Sequence, residues 1–127
     1  MLQRVGRPER PLVLVVEDDR ALSSALNFSL DLEGYDVRIF GTGEELLTSP
    51  LPPTRACLVI DERLPGVTGL NTVRELRRRG VALPAVLITT NPSSALRRAA
   101  AAAAVPIVEK PLLGDALIGE IRAALAA

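Results

Sequence analysis

The fold of this chain is decided by residues 12–19, which read Leu12-Val13-Leu14-Val15-Val16-Glu17-Asp18-Asp19. Five β-favouring residues pass directly into three acidic ones. An apolar run without polar alternation is typical of a strand that is buried on both faces, as in a parallel sheet. Three later apolar runs also end on polar residues, namely residues 57–60 before Asp61, residues 86–88 before Thr89, and residues 107–108 before Glu109 and Lys110.

Strand-like and helix-like segments alternate along the chain. The residue pattern predicts strands at residues 12–16, 37–40, 57–60, 85–88 and 107–108. Helical spacing and capping signals predict five helices. The first covers residues 20–33, the second begins after an N-cap at Thr42, and the third covers residues 70–79 before Gly80. The fourth runs from an N-cap at Asn91 to residue 104, and the fifth begins at about Asp115. The first helix is predicted to turn Leu22, Ala25, Leu26, Ser29 and Leu32 inward.

Five successive βα units predict a parallel sheet with helices on both faces, because right-handed crossovers place the helices there. Ligands bind such sheets at the carboxyl ends of the strands. The polar residues that follow the apolar runs should therefore meet in one place. They are Glu17, Asp18, Asp61, Thr89 and Lys110.

Composition limits what the chain can do. Its 127 residues suit one domain, residues 11–127, after a flexible arginine-bearing tail at residues 1–10 that has no signal-peptide core. Fifteen basic and fifteen acidic residues cancel, so no overall field favours nucleic acid or a membrane surface. No apolar run approaches the ~20 residues of a membrane span. The single cysteine, Cys57, excludes an internal disulfide and indicates a reducing compartment, the cytoplasm.

The chain contains no histidine, which excludes imidazole bases, Ser-His-Asp hydrolysis and nearly all zinc sites. Any metal must be held by oxygens, which favours Mg²⁺. Carboxylates gathered as predicted for Glu17, Asp18 and Asp61 repel one another by several kcal/mol per pair at an effective dielectric constant of about 20. A divalent cation would make the cluster tolerable, with the backbone carbonyl of Arg63 as a further oxygen ligand.

The remaining members of the constellation favour phosphoryl transfer. Thr89 offers a hydroxyl, and Lys110 is the single lysine in a chain with fourteen arginines. An ammonium and a guanidinium are poorly interchangeable where a compact point charge must reach a phosphate-sized anion. Together with a metal, these groups could stabilise charge around an aspartate nucleophile.

Three motifs in the chain resemble those of the receiver domain of bacterial two-component response regulators, over about residues 11–126. They are Val-Glu-Asp-Asp at residues 16–19, Cys-Leu-Val-Ile-Asp-Glu-Arg-Leu-Pro-Gly-Val-Thr-Gly-Leu at residues 57–70, and Glu-Lys-Pro at residues 109–111. The amino-acid sequences of these motifs are most similar to those of receivers of the nitrogen-fixation and nitrate-regulator type. The resemblance implies a flavodoxin-like, doubly wound α/β fold with five helices and a five-stranded parallel sheet in the order 2-1-3-4-5.

The resemblance also implies roles for individual residues. Asp61 would be the phosphoacceptor, and Glu17 and Asp18 would be the acidic pair that holds Mg²⁺. Thr89 would be the switch hydroxyl. Lys110 would contact the phosphate and precede a cis bond to Pro111.

The chain departs from the receiver pattern around the fourth helix and last strand. Ile107 occupies the position of the switch aromatic, and Thr90 replaces a small residue beside the phosphate pocket. Residues 103–105 read Ala-Ala-Val where a glycine is common. We therefore expect the chemistry of the site to be intact and its output face to be atypical.

The resulting expectation is a cytoplasmic, regulatory phosphoacceptor rather than an enzyme. It would take a phosphoryl group from a histidine kinase or phosphotransfer protein onto Asp61 in a Mg²⁺-dependent reaction. Arg63 and Asn91 would tune self-dephosphorylation. The face of the fourth helix, last strand and last helix could pair two copies in a homodimer, and neither nucleic acid nor membrane is an expected partner of this domain.

Two other functions stay open at this point. A phosphohydrolase of haloacid-dehalogenase type needs a second aspartate two residues after the nucleophile, and Arg63 stands there. A receiver-like interaction module that is never phosphorylated is favoured by the altered fourth helix and disfavoured by the acidic pair and Lys110.

Overall fold

The computed structural model describes residues 10–51 and 55–126. The strands in these ranges are β1 Leu12–Val16, β2 Asp36–Phe40, β3 Ala56–Asp61, β4 Ala85–Thr89 and β5 Ile107–Glu109. The helices are α1 Arg20–Leu32, α2 Gly43–Thr48, α3 Gly69–Arg78, α4 Ser94–Ala102 and α5 Ala116–Ala126. The predicted tail lies outside the described residues except for Arg10.

The strands form one parallel sheet in the order β2-β1-β3-β4-β5, which confirms the predicted topology. The register aligns the strand ends, because Val16 pairs with Phe40 on one side and with Ile60 on the other. Asp61 pairs with Ile88, so β3 and β4 also end close together. The acidic ends of β1 and β3 therefore lie on adjacent strands at one edge of the sheet.

Each strand sends alternate side chains into two separate apolar layers. On one face, β1, β3 and β4 contribute to a layer that α2, α3 and α4 cover; on the other, α1 and α5 cover the remaining side chains. Cys57 lies in the second layer, where burial raises the pKa of its thiol to about 12 and so keeps it protonated. None of the helices in the described ranges is both long enough and apolar enough to cross a membrane.

The inward face of α1 differs from the predicted one. Ser23, Leu26 and Leu30 are buried, whereas Leu32 is 71% exposed. The prediction is right for Leu26 and for Leu22, which is half-buried against the same layer. It is wrong for Ala25, Ser29 and Leu32, which are exposed, because Ser23 and Leu30 face the sheet instead. The inward residues predicted for α3, which are Leu70, Val73 and Leu76, are confirmed as buried.

The start of α4 also differs from the prediction. Asn91 has a left-handed backbone, with φ of 50°, and lies in the β4–α4 connection. Ser93 is the N-cap instead, and its hydroxyl accepts a hydrogen bond of 3.0 Å from the amide of Leu96. Asn91 tolerates the left-handed region well, so it serves the turn and leaves capping to the serine two residues later.

Three helices end in the same hydrogen-bonded motif. After α1, the amide of Tyr35 donates to the Leu30 carbonyl, and after α3 the amide of Val81 donates to the Leu76 carbonyl. In these two motifs the left-handed residue is Gly34 or Gly80. After α4 the equivalent bond joins Val105 to Ala100, and the left-handed residue is Ala104, with φ of 56°. An alanine therefore takes a conformation that favours glycine, and α4 ends two residues before its predicted limit.

Arginines from neighbouring elements bind the carbonyl groups at helix C-termini. The Arg55 guanidinium donates through Nε and Nη2 to the Leu125 carbonyl of α5, at 3.1 and 2.9 Å. Arg10 binds the carbonyls of Asp31 and Gly34 at the end of α1. In the same way, the Arg79 guanidinium donates to the Leu47 carbonyl in the last turn of α2, and the Arg77 guanidinium donates to the Ala103 carbonyl directly after α4. A forked, always-charged donor suits the negative end of a helix, which gives the arginine-rich composition a structural use.

We predict that Ala104→Gly stabilises the protein by about 0.5 kcal/mol. The substitution removes a left-handed penalty of about 1 kcal/mol, and the greater freedom of glycine in the unfolded chain offsets part of that gain. The reverse change, Gly80→Ala, is the matched control, because a Cβ at Gly80 would meet open space and only the φ of 83° opposes it. Urea unfolding should show the two variants moving in opposite directions; a loss of stability in Ala104→Gly would contradict the assignment.

Candidate functional site

Glu17 follows β1 and is 2% exposed. Its amide continues the ladder by donating to the Phe40 carbonyl at 3.0 Å. Its carboxylate accepts one hydrogen bond from the amide of Asp19 at 3.1 Å. Asp19 itself caps α1, since its carboxylate accepts from the amides of Ala21 and Leu22. Glu17 is therefore held inward, while Asp18 between them is exposed.

Asp61 is the last residue of β3 and is 4% exposed. Its Oδ1 accepts a hydrogen bond of 3.2 Å from the amide of Arg63. The side chain of the next residue, Glu62, is directed to the first turn of α3, where its Oε1 accepts from the amide of Leu70 at 2.8 Å, while Thr68 is the N-cap of that helix. Asp61 thus presents its carboxylate at the strand end from a fixed backbone.

Lys110 bridges the two buried carboxylates. Its Nζ donates to Glu17 Oε1 at 2.9 Å and to Asp61 Oδ2 at 3.1 Å. Its own amide donates to the Thr89 carbonyl at 2.8 Å, which anchors it beside β4. The bond from Lys110 to Pro111 is cis, as the resemblance implied. The ammonium group of Lys110 therefore binds one carboxylate that lies 93 positions earlier in the sequence, Glu17, and one that lies 49 positions earlier, Asp61.

The electrostatics of the site follow from this bridge. Burial raises the pKa of Glu17, the hydrogen bond from Lys110 lowers it, and the charge of Asp61 raises it, with a net rise. Burial lowers the pKa of Lys110, but its hydrogen bonds to Glu17 and Asp61 more than compensate, and the net shift is upward. Lys110 is therefore firmly cationic between carboxylates that burial would otherwise penalise.

The acidic cluster suits a hard cation. Glu17, Asp18 and Asp61 each offer a carboxylate oxygen, and these oxygens lie within 4.8 Å of one another. An all-oxygen set with two buried members and one exposed member fits Mg²⁺, which keeps several of its waters. The exposed position of Asp18 leaves the cluster open to solvent on that side.

A cleft of about 310 Å³ opens beside the cluster between the β3–α3 and β4–α4 connections. Arg63 lines one wall, and Thr89, Thr90 and Asn91 line the other. Thr89 is 2% exposed, whereas Thr90 is exposed at the mouth. The structure therefore places Arg63, Thr89, Thr90 and Asn91 around one cleft next to the acidic cluster.

Ile107 lies away from this cleft. It is half-buried and lines a groove of about 360 Å³ between α4 and β5 with Arg97, Ala100 and Val105. Across this region, Arg97 pairs with Glu109 at 2.7 Å. The residue at the predicted switch position thus belongs to the face of α4 and β5.

Two supporting residues escaped the sequence reasoning. Asp19 stands directly before α1, and this N-cap signal was readable from the sequence. The hydrogen bond from the Leu70 amide to Glu62 was not, because these residues lie eight positions apart and no capping pattern has that spacing.

Comparison with known proteins identifies the family. The family model described as response regulator receiver domain matches residues 13–122. Nodulation protein W of Bradyrhizobium diazoefficiens is 34% identical over 116 residues, which cover 91% of this chain and 51% of that protein. The transcriptional regulatory protein FixJ of Azorhizobium caulinodans is 33% identical over 119 residues, covering 93% of this chain and 56% of that protein.

Solved structures agree with this result. The crystal structure of FixJ-N is similar with a TM-score of 0.82 and 25% identity, covering 94% of this chain and 96% of that one. The chemotaxis protein CheY4 of Vibrio cholerae shares the fold, with a TM-score of 0.81, 21% identity, and coverage of 92% of this chain and 100% of that chain. The chain belongs to the response regulator receiver domain family. It spans about half the length of the first two curated relatives, at 51% and 56%.

We predict that Lys110→Met destabilises the protein by roughly 1–3 kcal/mol at neutral pH without divalent cations, because two buried carboxylates lose their shared donor. Arg97→Met is the matched control, since it breaks an ion pair in which both side chains are about half exposed. That loss should stay below about 1 kcal/mol. Urea unfolding of both variants measures the difference, and equal losses would refute a special role for the Lys110 bridge.

Proposed function

We propose that this receiver domain accepts a phosphoryl group on Asp61 in a Mg²⁺-dependent reaction, with a histidine kinase or a phosphotransfer protein as donor. The observation that carries the proposal is the position of the Asp61 carboxylate. It is buried at a strand end, 3.1 Å from the Lys110 ammonium, and gathered with two further carboxylates. Such an arrangement supports nucleophilic attack on a phosphorus atom that brings its own negative charge.

In the proposed reaction, a carboxylate oxygen of Asp61 attacks the phosphorus atom. The P–N bond to the donor imidazole breaks, and the imidazole keeps the bonding electrons and takes up a proton. Lys110 then exchanges its carboxylate contacts for contacts with the phosphoryl oxygens. The Thr89 hydroxyl, at the end of β4, turns toward the same group and biases the surface near α4.

Glu17, Asp18, Asp61 and the backbone carbonyl of Arg63 would hold Mg²⁺. When bound, the cation neutralises charge on the carboxylates and on the transferring phosphoryl group. The oxygen-only donor set on the described residues supports this choice of metal.

The alternatives are less well supported. Arg63 stands where a phosphohydrolase would need its second aspartate, and its side chain is exposed at the cleft. A module that is never phosphorylated would have no use for buried carboxylates that repel one another. The site thus favours a regulatory phosphoacceptor.

The wider role is proposed on the same basis. We propose that residues 11–127 form a cytoplasmic domain. Arg10, which the sequence assigned to the preceding tail, is fixed to this domain by its hydrogen bonds to the carbonyls of Asp31 and Gly34. The face formed by α4, β5 and α5, where Ile107 replaces the switch aromatic, is the proposed homodimer face.

Asp61→Asn should abolish phosphorylation by acetyl phosphate, because an amide cannot act as the nucleophile. Intact-protein mass spectrometry should show one added phosphoryl group in the wild type with Mg²⁺ and none after chelation by EDTA. Asp115→Asn is the control, since Asp115 is an exposed carboxylate that precedes α5 and lies outside the acidic cluster. A wild type whose mass never changes would sink the proposal.

Arg63 and Asn91 are proposed to tune self-dephosphorylation from the walls of the cleft. Removing either side chain widens the path by which water reaches the acyl phosphate. Arg63→Ala and Asn91→Ala should therefore shorten the phosphate half-life about threefold, a barrier change of under about 1 kcal/mol. Arg98→Ala, on the exposed surface of α4, should leave the half-life unchanged. Identical decay in all four proteins would refute the assignment.

A further inference from the structure

The connection between β3 and α3, residues 62–68, follows directly after the phosphoacceptor. Backbone hydrogen bonds join its two ends, because the Arg63 amide donates to Asp61 and the amides of Leu64 and Gly69 both donate to the Glu62 carbonyl. Leu64 is also buried. The tip of the connection, Pro65 to Val67, protrudes beyond these contacts and is partly or fully exposed.

A side chain of α2 binds the tip of the connection. Glu44, in the first turn of α2, accepts a hydrogen bond of 3.0 Å at its Oε2 from the amide of Val67. Two glycines make this contact possible. A Cβ on Gly66 would overlap the Glu44 carboxylate, and a Cβ on Gly43 would overlap the Thr72 hydroxyl and the Val67 side chain.

The contact is specific to Glu44. Its neighbour Glu45 shares the first turn of α2, but its carboxylate accepts from the amide of Gly41 at 2.6 Å and stays on its own element. Both glutamates lie in the first turn of α2, so each carboxylate interacts favourably with the positive end of the helix dipole. Only Glu44 reaches across to the connection that carries Arg63.

We propose that Glu44 is a positioning residue for the site. By holding the tip of the β3–α3 connection, it keeps the Arg63 backbone in the place from which its carbonyl can serve as a metal ligand. This inference rests on the proposed function. It adds a control of metal affinity from α2, an element that contributes no residue to the acidic cluster.

Thermodynamic reciprocity gives the proposal a measurable signature. If the Glu44–Val67 contact favours metal binding, then metal binding favours the contact by the same factor. Mg²⁺ should therefore slow hydrogen exchange at the Val67 amide in the wild type. A group with a purely structural role would protect that amide equally with and without Mg²⁺.

The test compares the wild type with Glu44→Ala, Glu44→Gln and Glu45→Ala. Isothermal titration calorimetry with Mg²⁺ should show about fivefold weaker binding in Glu44→Ala, which is the lower end of typical coupling between sites. Glu44→Gln keeps an acceptor oxygen and should recover most of the affinity. Glu45→Ala should bind Mg²⁺ like the wild type, although it loses the hydrogen bond from the Gly41 amide. Hydrogen exchange at Val67 is followed in parallel, and urea unfolding verifies that the exposed Glu44 variants remain folded.

The outcomes separate this inference from the proposed function. If the wild type binds Mg²⁺ and is phosphorylated while Glu44→Ala binds Mg²⁺ equally well, the inference is overturned and the proposed function stands. Equal weakening in Glu44→Ala and Glu45→Ala would also overturn it, because the effect would then belong to α2 in general. If the wild type takes up no Mg²⁺ at all, both proposals fall.

Discussion

The repulsion between carboxylates at one edge of the sheet is the constraint around which the site is arranged. Parallel pairing in register ends β1 and β3 side by side, so Glu17 and Asp61 are brought together whatever their charges. At about 4 Å and an effective dielectric constant of about 20, each such pair costs roughly 4 kcal/mol. The ammonium of Lys110 offsets this cost by donating to both. In the proposed function, contacts with a cation and a phosphoryl group replace these ammonium contacts.

The division of labour between arginine and lysine follows the geometry of their donors. Arginines such as Arg55 and Arg10 lie near helix C-termini, where a planar fork can serve several carbonyl groups at once. The single lysine, Lys110, lies at the opposite edge of the sheet, where a compact charge fits between two carboxylates. One edge of the sheet therefore carries arginines that bind helix carbonyl groups, and the opposite edge carries the lysine that binds carboxylates.

The connections around the site combine fixed and adjustable parts. Asp61 and Lys110 are anchored through backbone hydrogen bonds to neighbouring strands. The tip near Val67 depends on a side chain from α2, and the end of α4 depends on an alanine in a left-handed conformation. These weaker points lie next to the chemistry and next to the face of α4 and β5.

The sequence by itself determined the parallel α/β fold, the ends of its strands to within one residue and the membership of the acidic cluster, because apolar runs that end in polar residues are local signals. The resemblance of the motifs to those of receiver domains also indicated the cis bond between Lys110 and Pro111. Local pattern could not determine which stripe of α1 faces the sheet, since neighbouring stripes of one helix differ by a single residue. It likewise placed the cap of α4 at Asn91 rather than Ser93. Only the tertiary structure decided the contacts of Lys110, the arginines at helix ends and the reach of Glu44 to Val67, because each joins elements whose separation in space has no counterpart in sequence spacing.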